Sequence, residues 1–86
     1  MVEKKVIVKN KSGLHARPAT LLMQLCQKYE SDITIFLGSK QINPKSIISI
    51  LGGGIISGSE IVLRAEGMDE QEAVEAIVNL MDKLEE

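Results

Sequence analysis

The chain has 86 residues, 44% of them hydrophobic and 26% charged, which predicts a single folded domain over residues 1–86. The aromatic share of 2% disfavours surfaces that stack nucleic-acid bases, and one cysteine excludes an internal disulfide and a cysteine-based zinc site. No apolar run approaches the roughly 18 residues of a membrane span and no signal-peptide core is evident, so we expect a cytoplasmic protein. The net charge of −2 divides into 8 basic and 3 acidic residues over 1–45 (+5) and 2 basic and 9 acidic residues over 46–86 (−7).

The cationic N-terminal half allows two interpretations. It offers a positive face to an acidic partner or to a phosphate. Alternatively, its lysines guard the edge of a strand against pairing with another chain.

The first elements are predicted to be a strand and a helix. β-branched residues over 2–8 favour a strand, and apolar residues at three- and four-residue steps from Ala16 to about Lys28 favour a helix. Pro18 fits only the first turn of a helix, so we expect this one to begin near His15.

A β-hairpin is predicted next. Strands over 32–37 and 40–43 are joined by Gly38-Ser39, a two-residue turn of type II′ composition. Pro44 ends the second strand because it cannot donate to a β-ladder.

The second half predicts a short helix, a strand and a long helix. Ser46 stands before an apolar run as the N-cap of the short helix, which Gly52-Gly53-Gly54 ends. Alternation over 59–66 favours a strand, and Asp69 is the predicted N-cap of an amphipathic C-terminal helix. The order βαββαβα indicates an α+β fold with a four-stranded, mostly antiparallel sheet and three helices on one face.

One group of residues at the predicted start of the first helix is suited to reactive chemistry. A lone histidine such as His15 is more often an ordinary surface or core residue than a reactive one, so the hypothesis depends on its position. Backbone N–H groups at a helix start favour anions, so those of Ala16 and Arg17 are suited to bind one. The planar Arg17 guanidinium can donate two parallel hydrogen bonds to phosphate oxygens. Gly13 allows a close approach of the backbone to the cap. The positive field favours a neutral, nucleophilic imidazole.

Other chemistries find little support. The sequence has no second histidine, no acidic neighbour of His15 and no metal-ligand spacing, so we expect neither triad nor metal hydrolysis and no metal or cofactor. Cys26 lies on the apolar face of the first helix and is interpreted as a packing residue. A group accepted by His15 therefore needs a partner protein to deliver and remove it.

Ser46 has two interpretations. It is a plain N-cap, or it is also a phosphorylation site, where the helix dipole favours the added charge and Lys45 helps to balance it. From so short a helix, apolar side chains point only partly inward, so they are either core residues or an exposed partner-contact surface. We call this set the apolar patch: Ile47, Ile48 and Leu51.

The segments GLHARPAT, KSI and SEIVLRAEG, at residues 13–20, 45–47 and 59–67, resemble HPr. This is the histidine-containing phosphocarrier family of the bacterial phosphoenolpyruvate:sugar phosphotransferase system. The resemblance covers the whole chain and implies an open-faced β-sandwich. It implies a stoichiometric carrier, not an enzyme, that takes a phosphoryl group from phospho-Enzyme I on Nδ1 of His15 and passes it to EIIA proteins for sugar uptake. Arg17 matches the arginine that assists in phosphate handling.

The resemblance also implies regulation. Ser46 matches the serine that HPr kinase/phosphorylase modifies, and the modified form resembles a corepressor for the regulator CcpA in carbon catabolite repression. The chain departs from many Gram-positive members at Ile48 and Leu51, where they carry methionine, and at Pro44 and residues 52–54.

Two classes of function remain open from the residues. One is a phosphoryl carrier, supported by His15 and Arg17, and the other is a regulatory binding module that acts through Ser46. His15 argues against the Crh-like variants of the family, which lack it and serve only regulation. We expect a monomer.

Overall fold

A computed structural model describes residues 1–85. The strands are β1 (Val2–Ile7), β2 (Asp32–Leu37), β3 (Lys40–Ile42) and β4 (Glu60–Glu66), and the helices are α1 (Arg17–Cys26), α2 (Ile47–Gly52) and α3 (Glu70–Lys83). The predicted element order is confirmed.

The four strands form one antiparallel sheet in the order β1-β4-β2-β3. Along β4 the side chains of Ile61, Leu63 and Ala65 are buried under the helices, while those between them face the open side. On that open side the Arg64 guanidinium lies 4.6 Å from the Phe36 ring centroid. The predicted α+β open-faced β-sandwich is therefore confirmed.

The helices complete the core from one side of the sheet. α1 buries Ala19, Leu22 and Cys26, and α3 buries one stripe along its length: Ala73, Val74, Ile77 and Met81. α2 buries only Ile50. Because a six-residue helix has few intrahelical hydrogen bonds, α2 depends on contacts with its neighbours to hold its position.

Several predicted boundaries differ from the structure by one or two residues, and at two of them local hydrogen bonds account for the difference. α1 ends at Cys26, not near Lys28, because the N–H groups of Lys28 and Tyr29 bond three residues back, to the carbonyls of Leu25 and Cys26. β3 ends at Ile42, and the N–H group of the next residue donates to Oγ of Ser49 instead of a strand.

Asp69 is the N-cap residue of α3, as predicted, but its carboxylate binds a different element. Asp69 occupies the N-cap position, but its side chain makes no capping hydrogen bond. Its carboxylate instead accepts hydrogen bonds from the N–H groups of Glu30 and Ser31, each at 2.9 Å, and from Oγ of Ser31. These bonds, the Ser31 hydroxyl foremost, hold the pKa of Asp69 below its ordinary value. Asp69 therefore ties the start of α3 to the start of β2.

Candidate functional site at the start of α1

The loop that carries His15 is pinned to the segment that follows α2. Nδ2 of Asn10 donates to the carbonyl of Gly13 at 2.7 Å, and the N–H group of Leu14 donates to the carbonyl of Ile55 at 3.1 Å. Leu14 is fully buried, whereas the next residue, His15, is half-buried. The loop thus anchors one side chain in the core and leaves the imidazole at the surface.

Gly13 is required by a close approach of two backbones. Its φ is +59°, and a Cβ atom built there would lie 2.4 Å from the carbonyl oxygen of Ile55. Any other residue would push the loop away from that segment. The sequence predicted a close approach to the helix cap, but the structure places it against Ile55 and Ile56.

Ala16, the residue after His15, has a strained backbone. Its φ is 55° and its ψ is −131°, and among residues 1–85 no other residue apart from glycines has a positive φ. Such a conformation costs on the order of 1–3 kcal/mol and persists only where the surroundings enforce it. Ala16 is the N-cap of α1, so the strain lies directly between His15 and the helix.

The start of α1 has features that favour an anion at a helix N-terminus. Ala16 has no side-chain oxygen to cap the helix, the first turn contains no acidic residue, and Pro18 stands at its beginning. The positive end of the helix dipole is therefore not neutralised by a carboxylate of its own first turn. The geometry suits the predicted cradle formed by the N–H groups of Ala16 and Arg17.

The Arg17 side chain is exposed beside the end of α3. It lines a shallow pocket of about 300 Å³ that it shares with Leu21 of α1 and with the last residues described: Leu80, Lys83, Leu84 and Glu85. The pocket joins the start of α1 to the end of α3. This neighbour could not be read from the sequence, since the two segments lie more than 60 residues apart.

The second candidate, Ser46, is the N-cap of α2, as predicted. Its backbone is extended, and its Oγ accepts a hydrogen bond from the N–H group of Ser49 at 3.3 Å. The Ser46 carbonyl accepts from the N–H group of Ile50 at 3.1 Å and closes the first turn. The Ser46 side chain therefore caps one of the N–H groups at this helix end.

Ser46 and His15 lie at opposite ends of α1. Nε2 of Gln27, just after α1, donates to the carbonyl of Lys45 at 3.1 Å, whereas the segment after α2 contacts the His15 loop through Ile55. α1 has ten residues and spans about 15 Å. α1 and α2 thus run side by side in opposite directions. His15 and Ser46 both lie in the helical layer of the fold, but not in the same pocket.

The apolar patch is largely at the surface. Ile48 is 80% exposed and Leu51 44% exposed, while Ile47 is partly buried against the core. Ile56 adds a further apolar surface beside Gly13 and is 62% exposed. The sequence analysis missed Ile56 because residues 53–59 carry no regular periodicity that would mark which side chains point outward.

The Lys45 ammonium is held by two backbone carbonyls. Its ammonium donates to the carbonyl of Tyr29 at 2.7 Å and to that of Ser31 at 2.9 Å. Lys45 is therefore bonded to the end of the α1–β2 connection, and its part in balancing a phosphate on Ser46 stays a prediction.

Residues 1–85 contain no cluster of three or more metal-ligating side chains of the histidine, cysteine or carboxylate type. Within the same residues, no helix has the length and apolar character needed to cross a membrane.

A family model and one relative match this chain over nearly its whole length. The family model described as "PTS HPr component phosphorylation site" matches residues 2–83. The HPr-like protein Crh of Halalkalibacterium halodurans is 48% identical over 83 residues, which cover 96% of this chain and 99% of that protein.

Solved structures are similar over nearly the whole chain. HPr from Thermoanaerobacter tengcongensis has a TM-score of 0.93 and 44% identity, and the match covers 95% of this chain and 92% of that one. Crh from Bacillus subtilis, described as a dimer with a swapped domain, has a TM-score of 0.76 and 38% identity, over 96% of this chain and 95% of that one. This chain therefore belongs to the HPr family of phosphocarrier proteins.

Proposed function

We propose that the chain accepts a phosphoryl group from phospho-Enzyme I on His15 and passes it to EIIA proteins that serve sugar uptake. The observation that carries this proposal is the placement of His15 immediately before a strained N-cap, at a helix start without a side-chain cap or an acidic residue. Proteins of this family are carriers and not catalytic enzymes, so both steps need the partner's machinery.

The transfer is a displacement at phosphorus. The lone pair of Nδ1 of His15 forms a bond to phosphorus, and the bond between phosphorus and the donor's leaving atom breaks, with its electron pair leaving on the donor. The phosphoryl oxygens then carry the negative charge into the helix start, where the N–H groups of Ala16 and Arg17 and the Arg17 guanidinium stabilise it. In the second step an acceptor atom of EIIA attacks the same phosphorus and His15 is the leaving group.

A direct experiment is incubation with phosphoenolpyruvate and Enzyme I. One acid-labile phosphate should appear on the wild-type chain, and none on a His15→Ala variant. A label that survives in the variant, or a wild type that takes no label, would contradict the carrier proposal.

The second candidate is a regulatory module that acts through Ser46. It is favoured by the 48% identity to a protein named Crh. The presence of His15 at the helix start favours the carrier, and the labelling experiment separates the two, since a purely regulatory module takes no phosphate from Enzyme I.

In a carrier, Ser46 phosphorylation by HPr kinase/phosphorylase would add regulation linked to CcpA and to catabolite repression. The N-cap position supports this proposal, because a phosphate at a helix N-terminus is favoured by the dipole. The separation of about 15 Å along α1 exceeds the Debye length of about 8 Å at physiological salt. We therefore propose that the phosphate on Ser46 acts on partner docking at the apolar patch and not directly on His15.

The predicted monomer is tested by light scattering during size-exclusion chromatography. A mass near 9.4 kDa is expected. The swapped dimer described for Crh of Bacillus subtilis gives the alternative outcome, a doubled mass that persists on dilution.

A further inference from the structure

We infer that Lys45 is a positioning residue that fixes the start of α2, and with it Ser46 and the apolar patch, against the end of α1. This inference goes beyond the proposed function because it assigns a role to Lys45. It rests on that function only for the expected effect of Lys45 on partner binding.

Hydrogen bonds hold Lys45 at every polar group. Its ammonium donates to the carbonyls of Tyr29 and Ser31, at 2.7 and 2.9 Å. Its own carbonyl accepts from Nε2 of Gln27 at 3.1 Å, and its N–H group donates to Oδ1 of Asn43 at 3.0 Å. Three of these four bonds reach residues 27–31, so the residue before Ser46 is attached to one short segment.

That segment is itself held from a second direction. The carboxylate of Asp69 accepts hydrogen bonds from the N–H groups of Glu30 and Ser31, while Lys45 takes the carbonyls of Tyr29 and Ser31. The residues before α2 and at the start of α3 thus clamp the α1–β2 connection with opposite charges. Because charge-assisted hydrogen bonds are about twice as strong as neutral ones, this clamp is a firm base for the start of α2.

α2 needs such a base. It has six residues and buries Ile50 alone, so burial provides little resistance to a shift of the helix. A shift would move Ser46 and the exposed side chains of Ile48 and Leu51 relative to His15. Docking surfaces must be held to within about 0.5 Å and 10–20° of the productive geometry. Loosening the clamp should therefore weaken partner binding without touching the chemistry at His15.

The first test uses the one cysteine as a reporter. Cys26 is buried, and burial raises the pKa of its thiol to about 12, although the Lys45 ammonium acts in the opposite direction. In Lys45→Met, loss of the ammonium disfavours the thiolate, so any faster alkylation of Cys26 reports opening of the clamp. We expect alkylation under native conditions at least tenfold faster than in the parent. Lys28→Met, the same charge change at an exposed lysine, should change it by less than twofold.

The second test separates docking from chemistry. With Enzyme I as donor, Lys45→Met should raise KM at least fivefold. With phosphoramidate, a small donor that needs no docking surface, the rate of His15 phosphorylation should stay within twofold of the parent. Lys45→Arg keeps a cation with several donors and should restore most of the lost affinity.

The outcomes are distinguishable. Unchanged Cys26 alkylation overturns the inference, and so does faster alkylation with an unchanged KM. If the wild type takes no phosphate from Enzyme I, the carrier proposal fails, and Cys26 alkylation alone then decides whether Lys45 fixes α2.

Discussion

The starts of α1 and α2 are built in opposite ways. At the start of α1, the N-cap Ala16 has a strained backbone and no side-chain oxygen, and the first turn contains no carboxylate. At the start of α2, Ser46 has an ordinary extended backbone and its Oγ accepts a hydrogen bond from Ser49. Neither first turn contains an acidic residue, but a side chain caps one N–H group at the start of α2 and none at the start of α1.

The difference is compatible with the two kinds of phosphate chemistry proposed above for His15 and Ser46. A carrier site must take and release its phosphate quickly, so an end that lacks its own cap is suited to it. Strain at Ala16 of about 1–3 kcal/mol is offset by the anchoring of Leu14 and Gly13 on the segment after α2. A regulatory site must keep the helix folded with and without its phosphate, and a side-chain cap such as Ser46 does so.

The sharpest separation of the two helix starts is expected from His15→Ala. Acid-labile labelling by Enzyme I should vanish, whereas Ser46→Ala should keep it. His15 is half-buried and its neighbour Leu14 makes the core contact, so the thermal midpoint of His15→Ala should stay within about 5 °C of the parent. Circular dichroism and phosphate labelling measure the two effects. An unfolded variant would show that His15 is structural.

Arg17 should have the next largest effect. Arg17→Ala removes the guanidinium that we propose binds the phosphoryl oxygens, and it should slow transfer about 100-fold, a typical cost of removing one preorganised donor. Arg17→Lys loses the fork but keeps a point charge and should be slowed less. Rapid-quench kinetics with phospho-Enzyme I measure both. Equal rates for the two variants would mean that charge at this position is unimportant.

A carboxylate in the first turn of α1 should make that helix start resemble an ordinary one. Thr20 is exposed, and its N–H group donates to the Ala16 carbonyl at 3.3 Å. Thr20→Glu should stabilise the fold by about 0.3–1 kcal/mol through the helix dipole, measured by urea unfolding. It should also slow phosphoryl transfer several-fold by repelling the incoming anion. Thr20→Gln is the neutral control, and equal transfer rates for the two variants would contradict the dipole argument.

The start of α3 provides a pH test of a third arrangement. The Asp69 carboxylate has a lowered pKa, chiefly because the Ser31 hydroxyl donates to it, so its ionised form stabilises the folded state. That contribution is present at neutral pH and is lost as pH falls below the ordinary value of 3.8 and through the lower folded pKa. Asp69→Asn should be less stable than the parent at pH 7, and the gap should close in strong acid. A constant gap in urea titrations across this range would remove the electrostatic account.

Sequence patterns predicted the features that depend on residues close together in the chain. Apolar periodicity predicted every element, and Ser46 was recognised as a cap because its bond partner Ser49 is three residues away. The pattern did not reveal that Asp69 bonds to Ser31, 38 residues earlier, because nothing in a short window records such a pairing. The strain at Ala16 was equally hidden, since alanine carries no mark of positive φ.

The smallest effect on stability is expected from a charge at Ser46. Ser46→Asp keeps an oxygen acceptor at the N-cap and adds a charge that the dipole favours by up to about 1 kcal/mol, so the thermal midpoint should change by only a few degrees. Its affinity for Enzyme I should nevertheless fall, if the cationic N-terminal half binds an acidic partner surface beside the apolar patch. Ser46→Asn, which caps the helix without charge, is the control and should retain affinity. Calorimetry at increasing salt should show the loss shrinking as the charge is screened. An unchanged affinity for Ser46→Asp would eliminate the electrostatic mechanism, and a collapsed midpoint would show that this helix start does not tolerate the charge that a regulatory phosphate brings.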